Sequence, residues 1–326
     1  MRAFDYTSAA SVDEVIGLLG TDGDGTIRPL AGGTDLLTLM KADIASPERL
    51  VDIKRATGLD DGIQEEDGGL VIGALATLAA IETNPRVKVR YPALAEAAAI
   101  AATPQLRNMA TLGGNLLQRP RCWYFRNAAI PCWLKGGETC PARDGENRLH
   151  ALFGGGPCVA VHPSDPATAL LALDASVRLR GAAGERSVPL ADFFALPTDD
   201  HRVETTISPD AVLLDIRIPA PMAGMRSTYL KAMDRKVWAF ALVSVATAIR
   251  MEDGRIADAR IVLGGVAPIP WRCRNAERTL IGAAPDAALF DRAADAALDD
   301  AAPLQHNAYK VPLARTLVRR AIAALL

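Results

Sequence analysis

Leu30-Ala-Gly-Gly-Thr-Asp35 decides the architecture of this chain. The apolar run before it, residues 27–31, reads as a buried strand. Two adjacent glycines end that strand, and Thr34-Asp35 supplies capping chemistry for a helix through Leu36, Leu37, Leu39 and Met40. Residues 50–53 read as the next strand. Strand, glycine turn, helix and strand make a βαβ unit. Lacking Cβ atoms, the glycines let a ligand approach the backbone, and their N–H groups beside a helix start suit a pyrophosphate. Thr34 and Asp35 add a hydroxyl and a carboxylate, for a ribose or for the helix cap. A tight turn with an ordinary N-cap accounts for the same six residues. Upstream, Ser11-Val-Asp-Glu14 is a capping box that opens a short helix through Leu18 and Leu19, with Gly20 placed to end it. A loop rich in Gly and Asp follows at 21–26.

A second glycine-broken turn, Thr111-Leu-Gly-Gly-Asn115, lies about 80 residues on and carries the same logic. Together the two turns can clamp one pyrophosphate from two subdomains. Between them, residues 70–73 read as a strand, Thr77 as a helix cap and 91–102 as a buried helix. Further on, residues 159–161 read as a strand ending in Val161-His-Pro-Ser-Asp165, where Ser164 or Asp165 caps a helix at 166–173. Strands follow at 176–179 and 212–218. After the Pro219-Ala-Pro221 break, 227–233 and 242–251 alternate as strands, and Glu252-Asp-Gly-Arg255 turns the chain into a hairpin strand at 256–262. Helices at 275–280, 287–298 and 313–325 complete a small antiparallel α+β domain. The chain thus divides at 1–53, 54–219 and 220–326, with an insert at 119–158 that has neither helical nor strand periodicity.

The composition excludes several classes. The 326 residues are 50% hydrophobic and 23% charged, which is globular rather than disordered. A net charge of −2 argues against nucleic-acid binding through a basic surface. No apolar run reaches the ~20 residues of a spanning helix, and the first residues lack the apolar core of a secretory signal. Nicotinamide-type dinucleotide, P-loop and zinc-protease signatures are missing. Four of the five cysteines, Cys122, Cys132, Cys140 and Cys158, fall within 37 residues at spacings C-x9-C, C-x7-C and C-x17-C. With thiols kept reduced, such a group reads as a metal or cluster site more readily than as two disulfides. The spacings match neither zinc ribbons nor ferredoxins. An iron–sulfur cluster, zinc and unligated thiols all stay open; Cys158 abuts an apolar run and also suits a core position. Cys273 stands apart. The four histidines, His150, His162, His201 and His306, show no helix-face metal spacing.

The two glycine turns, Ser164-Asp165 and Tyr229-Leu-Lys231, taken in order, resemble the FAD-binding (medium) subunits of the molybdenum hydroxylases, the xanthine oxidase family. The resemblance spans the whole chain. It implies an α+β fold: a two-subdomain FAD-binding domain of the PCMH/VAO-like kind, then a C-terminal domain of the CO dehydrogenase flavoprotein type. It implies FAD held through Ala31, Gly32, Gly33, Thr34, Asp35, Thr111, Gly114 and Asn115. Asp165 is then expected on the flavin side, Leu213 packed near the ring, and Lys231 close to it, with a solvated strand lysine as the plain alternative for the last. The insert resembles that of the aldehyde oxidoreductase type, which implies a [4Fe–4S] cluster on Cys122, Cys132, Cys140 and Cys158, with Arg121 and Arg126 offsetting its charge. The implied role is electron transfer without a catalytic acid or base in this chain. A molybdenum-cofactor large subunit would hydroxylate an aldehyde, and a small [2Fe–2S] subunit would relay electrons through FAD to an external acceptor, in a heterotrimer or a dimer of heterotrimers. A stand-alone flavin oxidase and a cofactor-free, zinc-stabilised scaffold are the competing functions. The cytoplasm is the default location, with export on a partner's twin-arginine signal as the alternative.

Overall fold

The computed structural model describes residues 1–20 and 26–326, so the loop expected at 21–26 lies outside it except for Thr26. Strands β1 (Asp5–Ser8), β2 (Ile27–Leu30) and β3 (Arg49–Asp52) form a parallel sheet in the order β1-β3-β2. Helix α1 (Val12–Gly20) and helix α2 (Leu36–Lys41) make the crossovers. The βαβ unit read around Gly32-Gly33 is β2-α2-β3. Strand β1 was not legible, because Asp-Tyr-Thr-Ser is short and mostly exposed and has no alternation. The capping box forms with a shift: Glu14 N–H donates to Ser11 Oγ at 3.2 Å, while the Glu14 carboxylate accepts from Ala10 N–H at 2.7 Å. Gly20 closes α1 as its last residue.

The second sheet is built from β4 (Ile63–Glu66), β5 (Gly69–Gly73), β6 (Ser176–Gly181), β7 (Gly184–Pro189) and β8 (Val212–Ile218), antiparallel in the order β4-β5-β8-β6-β7. Against it pack α3 (Leu78–Thr83), α4 (Pro85–Arg90), α5 (Pro92–Ala99), α6 (Pro104–Arg107), α7 (Leu112–Leu116), α8 (Asp165–Ala172) and α9 (Leu190–Phe193). Thr77 caps α3 and Ser164 caps α8, each accepting a backbone N–H three residues on. Every residue of α8 is buried, because sheet, helices and the third domain enclose it. Residues 159–161 form no strand. Ala151 N–H reaches Val159 O and His162 N–H reaches Ala267 O, but these are isolated bonds to two different segments. The insert is irregular as expected, with one 3-10 turn at Trp133–Lys135.

In the third unit, β9 (Met225–Ala232), β10 (Val243–Glu252), β11 (Arg255–Gly264) and β12 (Trp271–Arg272) form an antiparallel sheet in the order β12-β11-β10-β9. Asp253 and Gly254, at φ 48° and 73°, make the β10–β11 turn, which needs both residues left-handed. Helices α10 (Arg274–Leu280), α11 (Ala287–Ala296) and α12 (Lys310–Ala323) cover one face. No helix among the described residues is long and apolar enough to cross a membrane.

Lys310, the first residue of α12, is fully buried. Its Nζ donates to the carbonyls of Leu149 (2.9 Å), His150 (3.0 Å) and Gly265 (2.9 Å), bolting the end of the insert to the third domain. Burial alone pushes its pKa down to about 7, while three converging carbonyls favour the ammonium. Lys310→Met is expected to lower the unfolding free energy by about 3 kcal/mol, because the carbonyls of Leu149 and Gly265 lose their donor and that of His150 keeps only Asn307. A urea denaturation at pH 7 reads this directly.

Candidate cofactor cleft and thiol compartment

A cleft of about 1200 Å³ opens between the parallel sheet, the second glycine turn and the insert. It exceeds the ~300–1,000 Å³ usual for small-molecule sites and suits an extended ligand. Ala31, Gly32, Gly33, Thr34 and Asp35 of the first turn, Thr111 and Gly114 of the second, and Leu213 of β8 all line it. Two turns some 80 residues apart in sequence therefore meet at one cleft. They touch through backbone: a methyl group on Gly32 would stand 1.8 Å from the Met109 carbonyl oxygen. Gly33 sits at φ +70°, which a side chain resists.

The turns differ in what they offer. No bond within the described chain takes the N–H groups of Gly32, Gly33 or Thr34. In the second turn the N–H groups are already engaged: Leu112 with Ala76 O, Gly113 with Ala74 O, Gly114 with Thr111 Oγ1 and Asn115 with Thr111 O. This turn is the first turn of α7, and its glycines serve close packing on Ala74 and Thr111. The shared logic read in the sequence therefore applies to the first turn as donor and to the second as wall.

Asp35 does not cap α2 with its side chain. Its carboxylate accepts Arg119 N–H at 2.9 Å and Arg126 Nη2 at 2.8 Å, and it pairs with Arg121. Burial lowers the Arg121 pKa to about 10, so the guanidinium stays charged. Both arginines expected beside a cluster are thus held by Asp35. Asn115 lies off the cleft, its Oδ1 accepting from Ser164 Oγ at 2.5 Å.

Asp165 and Lys231 also stand outside the large cleft, where α8 meets β9. Lys231 Nζ donates to Asp165 Oδ2 at 2.7 Å and Tyr229 OH to Oδ1 at 2.5 Å. The Lys231 side chain is 1% exposed, which removes the solvated-lysine alternative. Burial raises the Asp165 pKa against the opposing pull of Lys231 and Tyr229. Asp165 borders a second cavity of about 30 Å³, the size of one water, together with Arg121, His162, Ser164 and Phe240.

His162 is buried edge-on against Phe194, ring centroids 4.8 Å apart, and burial pushes its pKa down to about 4. In the unfolded chain it titrates near 6.5. Between those values the unfolded chain binds a proton that the folded one refuses, so stability falls as pH drops through the window. The contribution is at most about 3 kcal/mol. His162→Phe is expected to flatten the loss of stability between pH 6.5 and 4.5, measured as the shift in urea midpoint.

The four clustered cysteines share one apolar compartment with Leu39, Phe125, Trp133, Leu134 and Ala160. All are free thiols. Cys140 and Cys158 face one another, and Cys122 and Cys132 both sense the charge of Cys140. Ala160 N–H donates to Cys158 Sγ at 3.5 Å. Among the described residues, no three His, Cys, Asp or Glu side chains gather closely enough to hold a single metal ion. Four soft sulfurs gathered in one compartment match the donor set of a thiolate-bound cluster. Leu39, Phe125, Cys132 and Leu134 line the large cleft as well, so compartment and cleft share a wall. Further ties hold this wall: the guanidinium of Arg202 stacks 4.6 Å from the centre of the Trp133 ring, Trp133 Nε1 donates to Asp199 at 3.0 Å, and Arg119 pairs with Glu204 at 3.0 Å. No motif marks those residues, and sequence reasoning missed them.

The family model "FAD binding domain in molybdopterin dehydrogenase" matches residues 2–221, and "CO dehydrogenase flavoprotein C-terminal domain" matches residues 228–325. The chain is similar to the aldehyde oxidoreductase FAD-binding subunit PaoB of Escherichia coli, 39% identical over 326 residues, covering 99% of this chain and 98% of that one. It is 33% identical to the carbon monoxide dehydrogenase medium chain of Hydrogenophaga pseudoflava, covering 98% and 96%. The solved carbon monoxide dehydrogenase from that organism superposes with a TM-score of 0.79 at 31% identity, over 99% of this chain and 97% of its counterpart.

Proposed function

The chain belongs to the family of FAD-binding subunits of molybdopterin dehydrogenases, and from that premise we propose that it is the electron-transfer flavoprotein of an aldehyde oxidoreductase and carries a [4Fe–4S] cluster in its insert. As a member it is an oxidoreductase subunit of the molybdenum hydroxylases. The aldehyde assignment is supported by the full-length similarity to an aldehyde oxidoreductase subunit. The expected partners are a molybdenum-cofactor subunit, where the substrate is hydroxylated, and a small [2Fe–2S] subunit. When bound, FAD and the cluster supply the two-electron and one-electron chemistry that links those partners to an external acceptor.

The observation that carries the FAD reading is the meeting of both glycine turns at one cleft, with Gly32 pressed on Met109 and its N–H group and those of its neighbours unengaged. Gly32, Gly33 and Thr34 hold the pyrophosphate in this reading, and Ala31 and Leu213 pack on the cofactor. Asp35 fixes the arginines of the insert. Thr111, Gly114 and Asn115 brace the facing wall. Asp165 and Lys231, neutralised against each other, are assigned to the flavin side from the family pattern. The cluster reading is supported by the four thiols gathered in one compartment.

The test is a visible absorption spectrum of the anaerobically purified chain, with iron and acid-labile sulfide assayed on the same sample. Flavin bands with about four irons per chain are the expected result. Flavin without iron, after anaerobic reconstitution with iron and sulfide, overturns the cluster. No flavin after incubation with FAD overturns the cofactor assignment.

A further inference from the structure

The thiol compartment contains one more polar group, and it is not a cysteine. His150 is 3% exposed, and its Nε2 lies 3.2 Å from Cys122 Sγ. The rings of Trp123 and Tyr124 pack against the imidazole, centroids 5.9 and 6.2 Å away. Its backbone is fixed from a distance: the His150 carbonyl accepts Asn307 Nδ2 at 3.1 Å and Lys310 Nζ at 3.0 Å, both from the third domain. Asn147, which accepts the His150 N–H at 2.9 Å, is itself tied by its Oδ1 to His306 N–H at 2.9 Å. The imidazole therefore reaches Cys122 from a segment anchored on a domain that contributes none of the four clustered thiols.

We infer that His150 is a positioning residue of the thiol compartment, donating Nε2–H to the Cys122 sulfur and setting the reduction potential of the cluster held there. The inference rests on the four-thiolate reading above. A cluster-bound sulfur has no proton to give, so the short contact requires the hydrogen on Nε2. Nδ1, which has no partner among the described residues, is then a bare lone pair and not an orphaned N–H. A donor to a ligand sulfur withdraws charge from it and favours the reduced, more negative cluster. Removing the donor therefore lowers the potential without removing a ligand.

The experiment uses the whole chain, purified anaerobically with FAD. Iron and sulfide are assayed first on the unaltered chain, then on His150→Leu and His150→Gln. Absence of iron from the unaltered chain, after reconstitution, ends the cluster reading and this inference with it. With iron present, His150→Leu is expected to keep full iron and sulfide. Its potential, from spectroelectrochemical titration, is expected to fall by about 59 mV, a tenfold shift for one electron. His150→Gln, which can present an N–H at the same reach, is expected to restore the unaltered value. Should His150→Leu not fold, His150→Asn, too short to reach the sulfur, must give the lower potential. An unchanged potential with full iron overturns the inference. Loss of iron from a folded His150 variant also overturns it, because the imidazole would then be a ligand and not a donor.

Discussion

Gly32→Ala is expected to abolish FAD retention, weakening FAD binding by about a thousandfold, or about 4 kcal/mol. The argument is steric and local. The added methyl would lie 1.8 Å from the Met109 carbonyl oxygen and 2.8 Å from its carbon, inside any allowed contact. Both atoms are backbone, and Met109 N–H and Ala110 N–H are themselves bonded to Leu106 O, so that segment cannot swing away cheaply. The strain must open the gap between the two glycine turns, which widens the cleft and removes the donor wall from its ligand. The contrast is Gly33→Ala. There a methyl meets the Leu37 and Leu30 side chains at 3.0–3.2 Å, which can shift, and the penalty is the left-handed φ of +70°, on the order of 1 kcal/mol. Flavin absorbance of the purified variants, and fluorescence titration with FAD after stripping, separate the two. Equal flavin content in Gly32→Ala and the unaltered chain would show that the cofactor does not depend on the contact between the turns.

That contrast also marks what the sequence could tell. The double glycines announced a strand–turn–helix, and β2-α2-β3 is there, because a strand broken by Gly-Gly before an apolar helical period has few alternatives. The same two letters in the second turn concealed a different job. Gly113 and Gly114 are small because Ala74 and the Thr111 hydroxyl press on them, and their N–H groups are already bonded. Nothing local distinguishes a glycine that admits a ligand from one that admits a neighbouring residue; only the partner across the gap does. Asp35 illustrates the same limit. Its place after Thr34 spelled a helix cap or a ribose contact, yet three arginine groups of the insert, 84 to 91 residues away, take its carboxylate. Lys231 is the converse, a residue whose strand position allowed solvent and whose burial is fixed by Asp165. His150 had no spacing to betray it. Its role depends on Asn307 and Lys310, some 160 residues on, which no local pattern encodes.

Cys132→Ser is expected to lose essentially all cluster iron and, with it, part of the grip on FAD. An alkoxide is a hard, weakly populated ligand beside a thiolate, so one of four anchors disappears. The coupling to FAD follows from the shared wall. Cys132, Phe125, Leu39 and Leu134 face both the thiol compartment and the cleft, and the Cys132 turn is held by Arg202 through the carbonyls of Trp133 and Gly137 at 2.7 and 2.9 Å. Releasing the thiol frees that wall to move, and the expected weakening of FAD binding is about tenfold, or about 1.4 kcal/mol. The coupling is reciprocal, but a tenfold change is small against the grip of four thiolates on a cluster. Gly32→Ala strains the opposite wall, against Met109, and is expected to leave iron in place while flavin is lost. Cys273→Ala is the control, since that thiol is packed in the core of the third domain; iron and flavin are expected to stay at full content. Iron, sulfide and flavin measured on all three variants give three distinct patterns: loss of iron with weakened flavin, loss of flavin alone, and loss of neither. Full iron in Cys132→Ser would remove Cys132 from the ligand set. Full flavin affinity in an iron-free Cys132→Ser would show instead that the wall holds its shape without the cluster, and that the insert and the FAD cleft are neighbours without energetic coupling.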